Sequence, residues 1–117
     1  MPNSWITHKG KRILFVDYKG EDEKTMFKTV DESTEMITKS SAPVLVLADV
    51  TDVVGTVAFI KHAASQGARV EHNVPKAAII GVSVIKKALL IGYNRVVKQQ
   101  GFKPFNNREE ALDWLVR

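Results

Sequence analysis

The sequence predicts an α/β domain with a mixed, mostly parallel sheet of about five strands flanked by helices, in the order β-β-α-β-α-β-α-β-α. Three observations predict it. Apolar runs of strand length alternate with segments whose apolar residues recur at helical spacing. Residues 44–50 and 77–82 are apolar without alternation, the pattern of strands covered on both faces and therefore paired in parallel. Residues 4–8 and 12–18 are strand-like and joined by Lys9-Gly10-Lys11, a short glycine-containing loop that makes the opening pair an antiparallel hairpin.

The elements follow in order. Gly20-Glu21-Asp22-Glu23 places three acids in the expected first turn of a helix, where the macrodipole favours them. Met26, Phe27, Val30, Thr34 and Ile37 form its apolar stripe, and Ser40-Ser41-Ala42-Pro43 stops it. Val44-Leu45-Val46-Leu47-Ala48-Asp49-Val50 is the next strand, with Asp49 its sole charge. A loop follows, and Thr56 or Asp52 caps a helix carrying Val57, Phe59, Ile60 and Ala64, with Gly67 as its expected end. Residues 68–73 add another helical turn before Pro75, and 77–82 form the central strand. Gly81-Val82-Ser83 turns the chain into the central helix, with Ser83 as cap, and Gly101 ends that pattern. Residues 102–105 form a short edge strand, since Pro104 fits only where its missing N–H is not needed. Asn107-Arg108-Glu109-Glu110 reads as an Asx capping box opening a last helix with Ala111, Leu112, Trp114 and Leu115.

A chain of 117 residues fits one domain, residues 1–117, long enough to bury a core without staples. There is no cysteine, which excludes disulfides and thiolate chemistry. No uncharged apolar run reaches the roughly 18 residues of a membrane span, and Met1-Pro2-Asn3-Ser4-Trp5 has no signal-peptide core, so a cytoplasmic protein that is not integral to the membrane is expected. The net charge of +4 is unevenly spread. Residues 53–108 hold 9 Lys/Arg against a single acid, Glu71, while the first 52 residues hold 7 against 9. Such a basic segment suits an anionic ligand, or simply packs beside the acidic first half.

Val44-Leu45-Val46-Leu47-Ala48-Asp49, Ala78-Ile79-Ile80-Gly81-Val82-Ser83, and Phe102-Lys103-Pro104-Phe105 before Glu109-Glu110-Ala111-Leu112-Asp113-Trp114-Leu115 resemble the SpoIIAA-like superfamily, and within it small stand-alone STAS-like bacterial proteins. The resemblance covers nearly the whole chain, and its motifs are structural. It implies a mixed sheet of about five strands flanked by helices. That superfamily includes anti-sigma-factor antagonists, the cytoplasmic domains of sulfate transporters and lipid-carrying CRAL-TRIO domains. The antagonists carry a phosphorylatable serine in an Asp-Ser-Ser-Gly loop. Asp52-Val53-Val54-Gly55 stands in its place here, so both serine positions are valine and the phosphoacceptor is missing, with Thr51 and Thr56 flanking.

Gly81-Val82-Ser83 is half of a Gly-x-Ser-x-Gly nucleophile elbow, but position 85 is Ile, and His8, His62 and His72 all precede the serine. Ser83 is therefore read as a cap, and no catalytic residue is assigned. His62 and His72 are ten apart without a paired ligand motif, so no metal site is expected. Neither Gly-x-Gly-x-x-Gly nor a P-loop is present, no cofactor is implied, and the basic segment lacks the interleaved aromatics of a nucleic-acid interface.

Two features of the central helix remain. Lys86 and Lys87 lie in its first turn, where each cation costs a few tenths of a kcal/mol against the dipole unless something negative binds. Ser83, Lys86 and Lys87 with free backbone N–H groups make a candidate site for an anionic or lipid-like ligand. The competing reading has both lysines in water, or paired with acids of the first helix. At about 100° per residue, Ile85, Ala88, Leu89, Gly92, Tyr93 and Val96 share an apolar face, and Leu90, Ile91 and Val97 fall among the charges of the opposite one. These three need cover, from a second subunit, another partner, a lipid or a neighbouring helix of the same chain. The functional expectation is a non-enzymatic STAS-like binding or regulatory domain, acting through a homodimer or protein partner at Leu90, Ile91 and Val97. The alternative is a binder of a small anionic or lipid-like molecule at residues 83–87.

Overall fold

Right-handed crossovers between neighbouring parallel strands leave every crossover helix on the same side of the sheet, and that rule shapes this chain. The structure, a computed structural model, describes residues 2–97 and 101–117, with the side chains of Val84, Ile85, Lys87, Ala88, Leu89 and Val96 outside that description. The strands are β1 (Asn3–His8), β2 (Lys11–Asp17), β3 (Leu45–Asp49), β4 (Ala77–Ile80) and β5 (Lys103–Phe105). The helices are α1 (Glu23–Lys39), α2 (Val57–Val70), α3 (Val84–Val96) and α4 (Arg108–Val116), with a 3₁₀ turn at Glu71–Asn73. The strands lie side by side in sequence order. β1 pairs antiparallel with β2, placing Ile6 opposite Ile13, and the rest are parallel, with Leu14 beside Val46 and Leu47 beside Ala78.

Alternation divides the strands between two cores. Leu14, Val16, Val46, Ala48, Ala77 and Ile79 face α1, α2 and α3, where they meet Met26, Val30, Ile37, Phe59 and Ala63. Ile13, Leu47, Ala78 and Ile80 face α4 and meet Ala111, Leu112 and Leu115. Each fully buried Leu or Ile stabilises the fold by about 1.5–3 kcal/mol relative to exposure.

The caps follow the sequence closely. Thr56, not Asp52, caps α2, its hydroxyl accepting the Phe59 amide at 3.1 Å. Asn107 caps α4 through the Glu110 amide at 2.9 Å.

Several expectations need correction. Asp22 is itself the cap of α1, so of the three acids only Glu23 lies in the first turn. The central strand stops at Ile80 because Gly81 adopts φ 85 and turns the chain outward. Gly67 does not end α2, which runs on to Val70. It lies in mid-helix, where Tyr93 of α3 and Val97, the residue that ends α3, occupy the space a side chain would fill. Gly92, expected on the inward face of α3, is exposed and meets nothing within 4 Å. Among the described side chains of α3 and its C-cap, the inward stripe is Lys86, Leu90, Tyr93 and the capping Val97. The helix is turned so that Tyr93 and Val97 meet the gap at Gly67. Ile85, Ala88, Leu89 and Val96 of the expected apolar face lie outside the described side chains.

Candidate ligand-binding site

Three helices over one sheet face leave a space between them. It is a cavity of about 140 Å³, floored by β2, β3 and β4 and roofed by α1, α2 and α3. Its described walls are largely aliphatic. Lys86 lines it near the carboxyl ends of the strands, Tyr18, Ser33, Thr34 and Tyr93 bring hydroxyl groups to it, and Glu71 brings one carboxylate, beside Tyr93.

Lys86 reaches this position because of the turn before α3. A Cβ on Gly81 would lie 2.8 Å from the Thr51 Cα, so glycine lets the loops after β3 and β4 touch. Ser83 then starts the helix, its hydroxyl accepting the Lys86 amide at 3.4 Å. From the first turn the Lys86 side chain folds back over the sheet. Its ammonium donates to the Val50 carbonyl at 2.7 Å and approaches that of Gly81 at 3.5 Å. The aliphatic stem lines the cavity while the charge stays at its edge, the usual compromise of a half-buried lysine. No carboxylate pairs with Lys86 among the described residues. It neither extends into water nor joins an acid of α1.

The other sequence-derived residues separate. Ser83 is exposed and engaged in its cap, and the side chain of Lys87 lies outside the described residues. Leu90 packs against the helix-side core, and Val97 is buried against Gly67. Ile91 is 55% exposed. In the loop after β3, Asp52 takes φ 57, Val53 is buried in the cavity wall with Gly55 beside it, and Val54 is 79% exposed. The Thr56 hydroxyl bonds to the Glu23 carboxylate, tying that loop to the start of α1.

Sequence reasoning put Tyr93 on the apolar face of the central helix but gave neither tyrosine a place in the site. Tyr18 follows β2 and packs edge-on against Phe59, 5.6 Å between ring centres. Its hydroxyl lies beside that of Ser33. Burial, then the neighbouring Tyr93 phenol, pushes the Tyr18 pKa far above its ordinary value. Tyr93 stands against Gly67 and Phe102, and burial followed by the charge of Glu71 raises it likewise. Both phenols therefore keep their protons at any working pH and act as hydrogen-bond donors. The one available signal was Gly67, a glycine amid a helical pattern, which marks close approach by a neighbour.

The remaining ion pairs lie elsewhere. His62 bonds Asp31 at 2.6 Å between α2 and α1, and His8 bonds Asp113 at 2.8 Å between β1 and α4. No helix among the described residues is long and apolar enough to cross a membrane.

No protein-family model matches the sequence, and no curated protein matches it. Among solved structures, the chain is similar to an uncharacterized DUF3478-family protein from Shewanella loihica PV-4 with a SpoIIAA-like fold. The match has a TM-score of 0.73 at 18% identity, covering 97% of this chain and 91% of that one. At that identity the likeness speaks for architecture alone, and it agrees with the sheet order and helix placement above. The chain has the SpoIIAA-like fold.

Proposed function

We propose that the protein is a non-enzymatic binding protein for a small amphiphilic anion, whose apolar body enters the cavity under α1–α3 and whose charge meets Lys86. One observation carries this reading: a half-buried ammonium, bonded to two backbone carbonyls and to no carboxylate among the described residues, belongs to a side chain that lines a largely apolar cavity. Partial burial makes an unpaired charge costly, and a ligand carboxylate or phosphate at that edge would offset the cost.

The test is thermal unfolding with simple carboxylates such as octanoate and 3-phenylpropanoate. Ligand at ten times its Kd stabilises by about 1.4 kcal/mol, roughly 5 °C or more for a domain of this size. The wild type should show such a shift and Lys86→Met should lose it. No shift with any carboxylate, or an equal shift in the variant, defeats the reading.

A second reading, regulatory contact with a protein partner or a second copy, is supported by Val54 and Val57, 79% and 62% exposed on the loop and helix start beside the cavity. Native mass spectrometry of the purified protein separates the two. Copurifying small molecules favour the cavity, and a bare dimer favours contact.

A further inference from the structure

We infer that the outer edge of β1 is a seam for a second copy of this chain. The two β1 strands pair antiparallel about a twofold axis at Ile6 and join two five-stranded sheets into one. This goes beyond the binding reading and does not rest on it, since no residue of β1 lines the cavity.

The backbone ladder sets what β1 offers. The Asp17 amide donates to the Pro2 carbonyl at 2.8 Å, so these two residues form a hydrogen-bonded pair. Antiparallel pairs alternate between bonded and unbonded. Ser4, Ile6 and His8 therefore bond inward to β2, while the N–H and C=O groups of Asn3, Trp5 and Thr7 point outward. Asn3 is buried, whereas Trp5 is half-buried and Thr7 exposed. Among the described residues no strand lies beyond β1.

The two edges of the sheet differ. β5 is three residues long, with Lys103 and Pro104 exposed, and both discourage a further strand. β1 runs six residues without a proline, lysine or carboxylate. An unblunted edge of this kind is a template for another strand.

That edge is complementary to itself. With Trp5 opposite the partner's Thr7, and Thr7 opposite the partner's Trp5, each pair exchanges two backbone bonds. Ile6 meets the partner's Ile6 in the unbonded position between them, where side chains approach closest. Ser4 faces the partner's His8 and Asn3 faces the partner's Lys9, so no like charges stand opposite.

Charge names the occupant. The end of β1 at His8 is basic, with Lys9, Lys11 and Arg12 exposed and the Arg12 guanidinium 3.8 Å from the centre of the Trp5 ring. Asp113 is the acid paired there among the described residues, through His8 and Lys9. The start of β1 is acidic. Asn3 donates to the Thr29 carbonyl at 3.0 Å, and the Thr29 hydroxyl donates to the Glu21 carboxylate at 2.9 Å. Burial pushes the Glu21 carboxyl above its ordinary pKa against that bond, and the nearby Asp17, Asp22 and Glu32 carboxylates add to the rise. None of these four acids joins an ion pair among the described residues. An antiparallel seam lays the basic end of each copy beside the acidic start of the other. A parallel one would set like against like.

A two-strand seam belongs with weak, reversible contacts, below about 1,200 Å², so sedimentation velocity over a range of protein concentrations is the first test. The wild type should dimerise reversibly, and raising salt from about 20 mM to about 500 mM should weaken the dimer several-fold by screening the charged ends. Thr7→Pro removes an N–H that β2 does not use, so it should abolish the dimer and leave the thermal midpoint within a few degrees of wild type. Cross-linking fixes the register independently, because the chain has no cysteine. Ile6→Cys sets two thiols opposite each other across an unbonded pair, with Cα atoms about 4.5 Å apart, within disulfide reach. On oxidation it should become mostly covalent dimer. Thr7→Cys, exposed but out of register with its own copy, should stay mostly monomer. A wild type that is monomeric at every concentration, a dimer indifferent to salt, a dimer that survives Thr7→Pro, or equal cross-linking of the two cysteine variants overturns the seam.

Discussion

At Gly67 the helix-propensity cost of glycine, about 1 kcal/mol relative to alanine, is set against what its missing side chain admits. A Cβ there would stand 3.1 Å from the Tyr93 ring carbon bearing the hydroxyl and 3.1 Å from a Val97 methyl, and closer still to the hydroxyl oxygen. Gly67→Ala should therefore destabilise by about 1–2 kcal/mol, overpacking outweighing propensity, as urea unfolding would measure. Adding Tyr93→Phe removes the nearest atom and should recover part of the loss. A stabilised Gly67→Ala protein would mean that α3 does not press on α2 at this point. Residues of this kind were the least legible in the sequence. The spacing of Gly67 from Val57 suggested a helix end, and nothing local says that Tyr93, 26 positions on, fills the gap. Lys86 was singled out for its unfavourable place in a first turn, and its side chain lines the cavity. Its direction was not readable, because inward folding depends on the Val50 and Gly81 carbonyls ending two separate strands.

Among the elements, α4 was read almost completely, from the Asn107 cap to the buried Ala111, Leu112 and Leu115. It packs on β4, β3, β5 and β1, and one polar tie fixes its outer end to the opening hairpin. His8 Nε2 lies 2.8 Å and Lys9 Nζ 3.2 Å from the Asp113 carboxylate. These bonds, that of His8 foremost, hold the Asp113 carboxyl below its ordinary pKa. The sign follows by linkage. A carboxyl with a depressed folded pKa stabilises the protein above the unfolded value, about 3.9, and that contribution disappears as pH falls through the lower folded value. Asp113→Asn should thus lower stability at pH 6–7 by a small, salt-sensitive amount. The difference from wild type should close below about pH 4. Denaturant unfolding across pH decides it, and a gap that persists unchanged at pH 3 would rule the tie out as the cause. The contrast with α3 is informative. Its apolar residues are spread around most of its circumference, so periodicity alone names no unique inward face, and packing against α2 made the choice.

For the molecule as a whole, sequence order of the strands matters more than any single residue. A sheet that runs β1 to β5 without reversal sends α1, α2 and α3 to one face, and three helices of unequal length do not tile it perfectly. The parallel pairing was legible because fully apolar runs alternate with helices, whereas the order of the strands across the sheet came from the structure. The cavity was not legible, since an unfilled volume leaves no mark in composition. Ala48, Ala63 and Ala77 line it, and their small size is consistent with space kept open. Ala63→Leu turns that into a measurement. In a packed core the added atoms would cost about 1–3 kcal/mol through strain. Here they enter existing space, and their burial, at about 0.8 kcal/mol per carbon, should leave stability within about 1 kcal/mol of wild type or above it. The same change should abolish the thermal shift given by 3-phenylpropanoate, the trade of function for stability expected when a binding cavity is filled. A strongly destabilised Ala63→Leu protein would show that the space is not there to be filled. An undiminished ligand response in a stable variant would place binding elsewhere on the fold.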